Sequence, residues 1–158
     1  MEETEKDLKF VDFETHFKEE LNSWQDIEKE NGENGLDRFV VVAGTKLGDL
    51  IEYMTNEMKI NSKIVLDDNN VIGFVCYDIK GKNKTAHIEI VGTNPKFRKL
   101  GYAKRILLGI KDLIKETYGI KTVTLSVNKN NMAGIKSFSK FAKENKNLDS
   151  ENYTGFEL

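Results

Sequence analysis

Asn94-Pro95-Lys96-Phe97-Arg98-Lys99-Leu100-Gly101-Tyr102-Ala103-Lys104 joins an apolar, strand-like run to a long amphipathic one. Pro95 is the one proline of the chain. Its fixed φ and missing N–H mark a turn. Gly101 removes a side chain where the backbone swings into the following helix, and Ala103 keeps the first turn narrow. A helix that starts here leaves its first backbone N–H groups without partners inside the helix. The helix dipole and the cations Lys96, Arg98, Lys99 and Lys104 converge on the same point. The stretch is a predicted anion site.

Working outward, Thr85 to Val91 alternates. Ala86, Ile88 and Ile90 take one face of a predicted strand; Thr85, His87, Glu89 and Val91 take the other. On the far side, Tyr102 to Tyr118 reads as a helix with Ala103, Ile106, Leu107, Ile110, Leu113 and Ile114 on one face and Gly119 as C-cap. Ile64–Leu66 and Val71–Tyr77 form a predicted hairpin around Asp67-Asp68-Asn69-Asn70. Lys121–Val127 is a further strand, Ala133–Lys143 a helix, and Tyr153–Leu158 a final edge strand. Near the start, Leu8–Val11 is a short strand. Phe13, Phe17, Leu21 and Trp24 repeat as a helix face, and Leu47, Leu50, Ile51, Met54 and Met58 as a second.

The spacing Arg98-x-x-Gly101-x-Ala103 matches the R/Q-x-x-G-x-G/A signature of the GNAT acyltransferase superfamily. The order of elements resembles that family's layout, closely over residues 60–143 and in order alone over residues 1–59. The resemblance implies one α/β domain over residues 1–158, with a mixed, mostly antiparallel sheet flanked by helices and splayed at the CoA-binding strands. It implies acetyl-CoA as co-substrate, its pyrophosphate held by Arg98, Lys99, Leu100, Gly101, Tyr102, Ala103 and Lys104. The pantetheine arm would pair with Val91, Gly92 and Thr93, with Gly92 suited to a bulge.

Asn128 to Lys143 resembles the family's N-x-x-A-x-x-x-Y-x-x-x-G-F, with Asn131 on the asparagine, Gly134 on the alanine and Phe138 on the tyrosine. The asparagine often contacts CoA and the tyrosine often protonates the departing thiolate. Phe138 has no hydroxyl, so Tyr102, Tyr153 or water would have to substitute. Fifteen residues after Lys143 are few for the family's last two strands, so a shortened hairpin is expected.

The reaction the resemblance implies is attack of a primary amine on the acetyl thioester. An alkyl amine has a pKa of roughly 10.4 and must lose a proton first. Glu89 and His87, on the strand leading into the anion turn, are the candidate catalytic residues. An uninvolved polar strand face is the plainer reading of both. His16 reads as a helix-surface histidine and Cys76 as a buried structural thiol. No metal-ligand spacing is present.

Among the first 58 residues, 16 Asp and Glu stand against 6 Lys and Arg; the rest carry 10 against 18. In the family the early helices build much of the acceptor site. The acidic half therefore favours a cationic acceptor such as a lysine side chain, a polyamine or an amino sugar. A non-catalytic acyl-CoA-binding module is the alternative, suggested by Phe138. The Lys/Asn-rich tracts lack interleaved aromatics, against nucleic-acid binding. No run of some eighteen apolar residues predicts a membrane span. A single cysteine and an acidic start without signal-peptide character point to the cytoplasm. The resemblance leaves monomer or homodimer open, since the family contains both.

Overall fold

The computed structural model describes residues 8–14, 17, 19–20, 23, 61–80, 85–97, 101–129 and 132–158. Its strands are β1 (Lys9–Asp12), β2 (Asn61–Asp67), β3 (Asn70–Lys80), β4 (Thr85–Thr93), β5 (Thr122–Asn128), β6 (Lys143–Glu144) and β7 (Tyr153–Glu157). The described helices are α1 (Tyr102–Tyr118) and α2 (Met132–Phe138), with short 3-10 turns at Pro95–Phe97 and Lys146–Leu148. The strands form one sheet in the order β1-β2-β3-β4-β5-β7-β6. Among the described residues only the β4–β5 pair is parallel. α1 supplies the crossover that a parallel pair requires.

Side-chain alternation divides β3 between two faces. Val75 and Tyr77 join the core beneath α1, with Val65, Ala86, Ile88, Val123, Leu125 and the helix residues Ile106, Leu107, Ile110 and Ile114. Phe74, Cys76 and Ile64 are equally buried but stand outside that cluster. The four α1 residues fall three to four apart, so the helix buries one stripe. Each such side chain is worth about 1.5–3 kcal/mol on burial. Gly109 on the same helix lets α1 approach β1: a Cβ there would stand 2.9 Å from the Phe10 ring.

The ends of α1 and the β2–β3 hairpin agree with the sequence. Gly119 caps α1 with φ 65°, its N–H donating to the Lys115 carbonyl. Asp68 in the hairpin turn adopts φ 54°. Glu19, Glu20 and Ser23 are helical, within the predicted Phe13–Trp24 helix. The predicted helix over Leu47–Met58 lies outside the described residues.

Four expectations change. The strict alternation of Thr85–Val91 breaks: Cys76 pairs with Ile90 and Tyr77 with Ile88, leaving Glu89 as the extra residue of a bulge. The phase reverses there, so Val91 joins Ala86 and Ile88 in the core instead of sharing the face of His87. Gly92 is not the bulge. It pairs in register with Phe74, and a Cβ on it would meet the Phe74 ring at 2.4 Å, so glycine seats the ring.

The last helix ends at Phe138 instead of Lys143, continuing as turns in which Phe141 and Ala142 N–H donate to the Phe138 carbonyl. The final strand is interior. β7 lies between β5 and the two-residue β6, which is the edge, so the short tail does complete the sheet.

Candidate active site

β4 pairs with β3 as far as Thr93, but with β5 only over Thr85–Ile88. On its other edge β5 pairs with β7 from Thr124 to Asn128, so past Leu125 that is the one ladder it keeps among the described residues. The two parallel strands therefore part just where the bulge at Glu89 bends β4. Beyond it, the backbone of Val91, Gly92 and Thr93 presents to the gap the edge that faces away from β3. Unpaired strand groups need partners, and an extended ligand can supply them.

β4 leads straight into the anion turn. Asn94, 2 % exposed, fixes it. Its Nδ2 donates to the Val71 carbonyl (2.9 Å), its Oδ1 accepts from the Lys96 N–H (3.1 Å), and its own N–H donates to the Ile72 carbonyl (2.8 Å). Asn94 was visible in the sequence only as a residue before proline; its grip on β3 is a long-range feature.

Gly101 follows with φ 80° and ψ 11° as the N-cap of α1, without a side-chain cap. A Cβ on it would meet nothing within 4 Å. The first turn carries no acidic residue. The N-terminus of α1, with the Tyr102, Ala103 and Lys104 N–H groups, is thus electropositive. Lys104 is exposed and stands 5.9 Å above the Phe141 ring. Arg98, Lys99, Leu100 and Asn131, all expected at this site, lie outside the described residues.

The Tyr102 hydroxyl is engaged by the hairpin turn. It donates to Asp67 Oδ2 at 2.5 Å, which raises the phenol pKa. Arg105 lies 5.2 Å over the Tyr102 ring and 3.9 Å from the same carboxylate, and Phe97 meets the ring edge-on. The hairpin turn is so tied to the start of α1. Removing that tie with Tyr102→Phe should raise the acetyl-CoA KM by roughly two- to tenfold, the worth of one hydrogen bond of about 0.5–1.5 kcal/mol. kcat should hold, as steady-state kinetics with varied acetyl-CoA will show. A lowered kcat at unchanged KM would instead place the hydroxyl in the chemistry.

His87 and Glu89 are half-buried on β4. His87 Nδ1 lies 2.8 Å from the Thr124 hydroxyl of β5, at the last rungs before the strands part. Burial holds the imidazole below its ordinary pKa; Glu89 opposes this, Lys80 reinforces it, and Asp78 opposes it. Glu89 also acts on Cys76, whose thiol is pushed up to about 12 chiefly by burial and further by Glu89, against a hydrogen bond with Ser62 that lowers it. A thiol so held is protonated at neutral pH and no nucleophile. The bulge therefore brings Glu89 within electrostatic reach of both His87 and Cys76.

Phe138, expected against CoA, is 8 % exposed and belongs to the core, edge-on to Phe141 and Phe156. Among the described residues no cluster of three or more His, Cys, Asp or Glu could hold a metal. Nor, among them, is any helix long and apolar enough to cross a membrane.

Comparison with known proteins meets this geometry. The family model for the acetyltransferase (GNAT) family matches residues 10–142. No curated protein matches. Among solved structures, the acetyl transferase from Salmonella typhimurium that modifies the N-terminal serine of ribosomal protein L7/L12 aligns with TM-score 0.74 and 11 % identity over 98 % of this chain and 95 % of that one. The N-acetyltransferase PseH from Campylobacter jejuni, in complex with acetyl coenzyme A, gives 0.64 and 12 % over 96 % and 97 %. The spermidine/spermine N-acetyltransferase SpeG from Vibrio cholerae gives 0.62 and 13 % over 96 % and 92 %. At these identities the likeness is one of fold; the family match covers most of the sequence, and the chain belongs to the GNAT acetyltransferase family.

Proposed function

We propose that this protein transfers the acetyl group of acetyl-CoA to a primary amine of a cationic acceptor. The observation that carries the proposal is the succession of the bulge at Glu89, the parted edge of β4 beyond it, and the N-terminus of α1, which has no side-chain cap. Pantetheine pairs with Val91, Gly92 and Thr93. The pyrophosphate sits before the Gly101–Lys104 backbone, and the family motif assigns Arg98, Lys99, Leu100 and Asn131 to the same cofactor. The thioester then lies next to Glu89 and His87.

The chemistry follows from proton accounting. The acceptor arrives as ammonium, drawn by the acidic excess of the first 58 residues. His87, held neutral by burial, or Glu89 takes one proton directly or through water. The freed amine attacks the thioester carbon, forming the C–N bond. The tetrahedral species collapses, the C–S bond breaks, and the thiolate leaves with its electron pair. A thiol of pKa about 8.5 is a fair leaving group. The new amide nitrogen sheds its second proton, and the thiolate takes one up through water or Tyr153, since Phe138 has no hydroxyl and that of Tyr102 is held by Asp67.

An amine panel with acetyl-CoA tests the reading, following thiol release and the acetylated product. Polyamines and lysine peptides should rank above neutral amino acids, and these above carboxylate-rich amines. The preference should shrink as salt rises, because exposed charges are screened beyond about 8–10 Å near physiological ionic strength. A ranking led by carboxylate-bearing amines would contradict the cationic acceptor. Acetyl-CoA binding without transfer to any amine would favour a non-catalytic acyl-CoA-binding module.

A further inference from the structure

The environment of His87 contains a detail that its role as a proton acceptor does not by itself require. The Thr124 side chain is buried, 5 % exposed, on β5. Its oxygen has two neighbours: the Ala86 carbonyl at 3.5 Å and His87 Nδ1 at 2.8 Å. A carbonyl can only accept, so the long Ala86 contact needs the hydroxyl proton, while Nδ1 can give or take one. With the hydroxyl turned to Ala86, the oxygen presents lone pairs to His87 and Nδ1 carries the proton of the short contact. Nε2 is left with its lone pair.

We infer that Thr124 is a positioning residue that fixes His87 as the Nδ1–H tautomer and leaves Nε2 as the proton acceptor; this rests on the reading of His87 as the base. The location favours such a device. His87 and Thr124 are opposed across the only parallel pair of the described sheet, one rung before Ile88 and Leu125, where the strands part. Thr124 is thus on the last part of β5 that can hold a β4 side chain, and the ring it holds stands at the edge of the gap.

The charges around the ring are compatible with a neutral imidazole. Among the described residues, those acting on it are Glu89 on its own strand and Lys80 and Asp78 on β3. β5 contributes no ionisable side chain. Burial outweighs the two carboxylates, so the ring stays uncharged near neutral pH and one nitrogen remains basic.

Nitrogen–proton correlation spectra of the imidazole rings test this on the full chain. There are two histidines, so a His87→Gln spectrum assigns the signals. Wild type should show protonated Nδ1 and bare Nε2 at neutral pH. Thr124→Val, which keeps the shape and removes the hydroxyl, should populate the Nε2–H form and lower kcat by about tenfold, a part of the roughly 10²–10⁴-fold that a well-placed acid or base contributes. Its acetyl-CoA KM should hold. Thr124→Ser should restore both tautomer and kcat, separating the hydroxyl from packing. A wild-type ring protonated on Nε2, or a tautomer indifferent to Thr124→Val while His87→Gln is inactive, overturns the inference alone. A shifted tautomer with unchanged kcat, together with an active His87→Gln, overturns the role of His87 as base and that of Thr124 in turnover with it.

Discussion

The Gly101→Val protein should fold and should no longer bind acetyl-CoA. Gly101 has φ 80°, a region β-branched residues enter only under strain, and its Cβ would project into space open to 4 Å. Strain of about 1–2 kcal/mol or somewhat more is small beside a typical stability of 5–15 kcal/mol, so the domain survives on average. On the proposed reading the phosphates bind before this end of α1, and a valine side chain there would crowd them.

Gly119 provides the matched control. It has φ 65°, it too has nothing within 4 Å, and it caps the opposite end of α1. Gly119→Val therefore carries similar backbone strain without touching the phosphate turn. Calorimetry should find near-wild-type acetyl-CoA affinity for Gly119→Val and a loss of roughly 100-fold or more, about 2.8 kcal/mol, for Gly101→Val. Equal losses in both would assign the effect to strain in α1. Wild-type binding in Gly101→Val would move the pyrophosphate elsewhere.

Neutralising both candidate bases should cost the most turnover. Glu89→Gln with His87→Gln is expected to reduce kcat by about 10²–10⁴-fold while leaving acetyl-CoA affinity near wild type, the signature of interactions made in the transition state. The single variants divide the role through pH. Burial lowers the pKa of His87, so the acid limb of kcat/KM should fall below the ordinary imidazole value of about 6.5. Glu89 raises the pKa of His87, so Glu89→Gln should shift that limb to still lower pH. Lys80 lowers it, so Lys80→Met should shift the limb up. Stability has the same sign. A neutral, buried imidazole favours the fold above its unfolded pKa, and that contribution is lost as pH falls through the lower folded value. A double variant with wild-type kcat would leave deprotonation to solvent or to residues outside the described set.

Local signals carried much of this site. Helix α1 starts at Tyr102 and ends before Gly119, as its stripe of Ile106, Leu107, Ile110 and Ile114 and its flanking glycines require. The turn at Asn94–Pro95 and the glycine entry to the helix were equally legible, because φ preferences act on single residues. What escaped depends on register between distant segments. The bulge at Glu89 exists because Cys76 and Tyr77 pair with Ile90 and Ile88, and a slip of one residue moved Val91 to the opposite face. The bond from Tyr102 to Asp67 spans strands β3 and β4, and that from His87 to Thr124 spans α1. Nothing within a short window encodes such pairs. The Phe138 ring was read by motif as a CoA contact, whereas packing against Phe141 and Phe156 gives it a place in the core.

The most direct measurement is a crystal structure of the chain with acetyl-CoA bound. The predicted complex has pantetheine amides hydrogen-bonded to the free edge of Val91–Thr93. Its pyrophosphate oxygens meet the N–H groups at the start of α1, and its thioester carbonyl lies beside Glu89 and His87. Acetyl-CoA bound elsewhere, with the gap between β4 and β5 empty and the α1 N-terminus unoccupied, would contradict it.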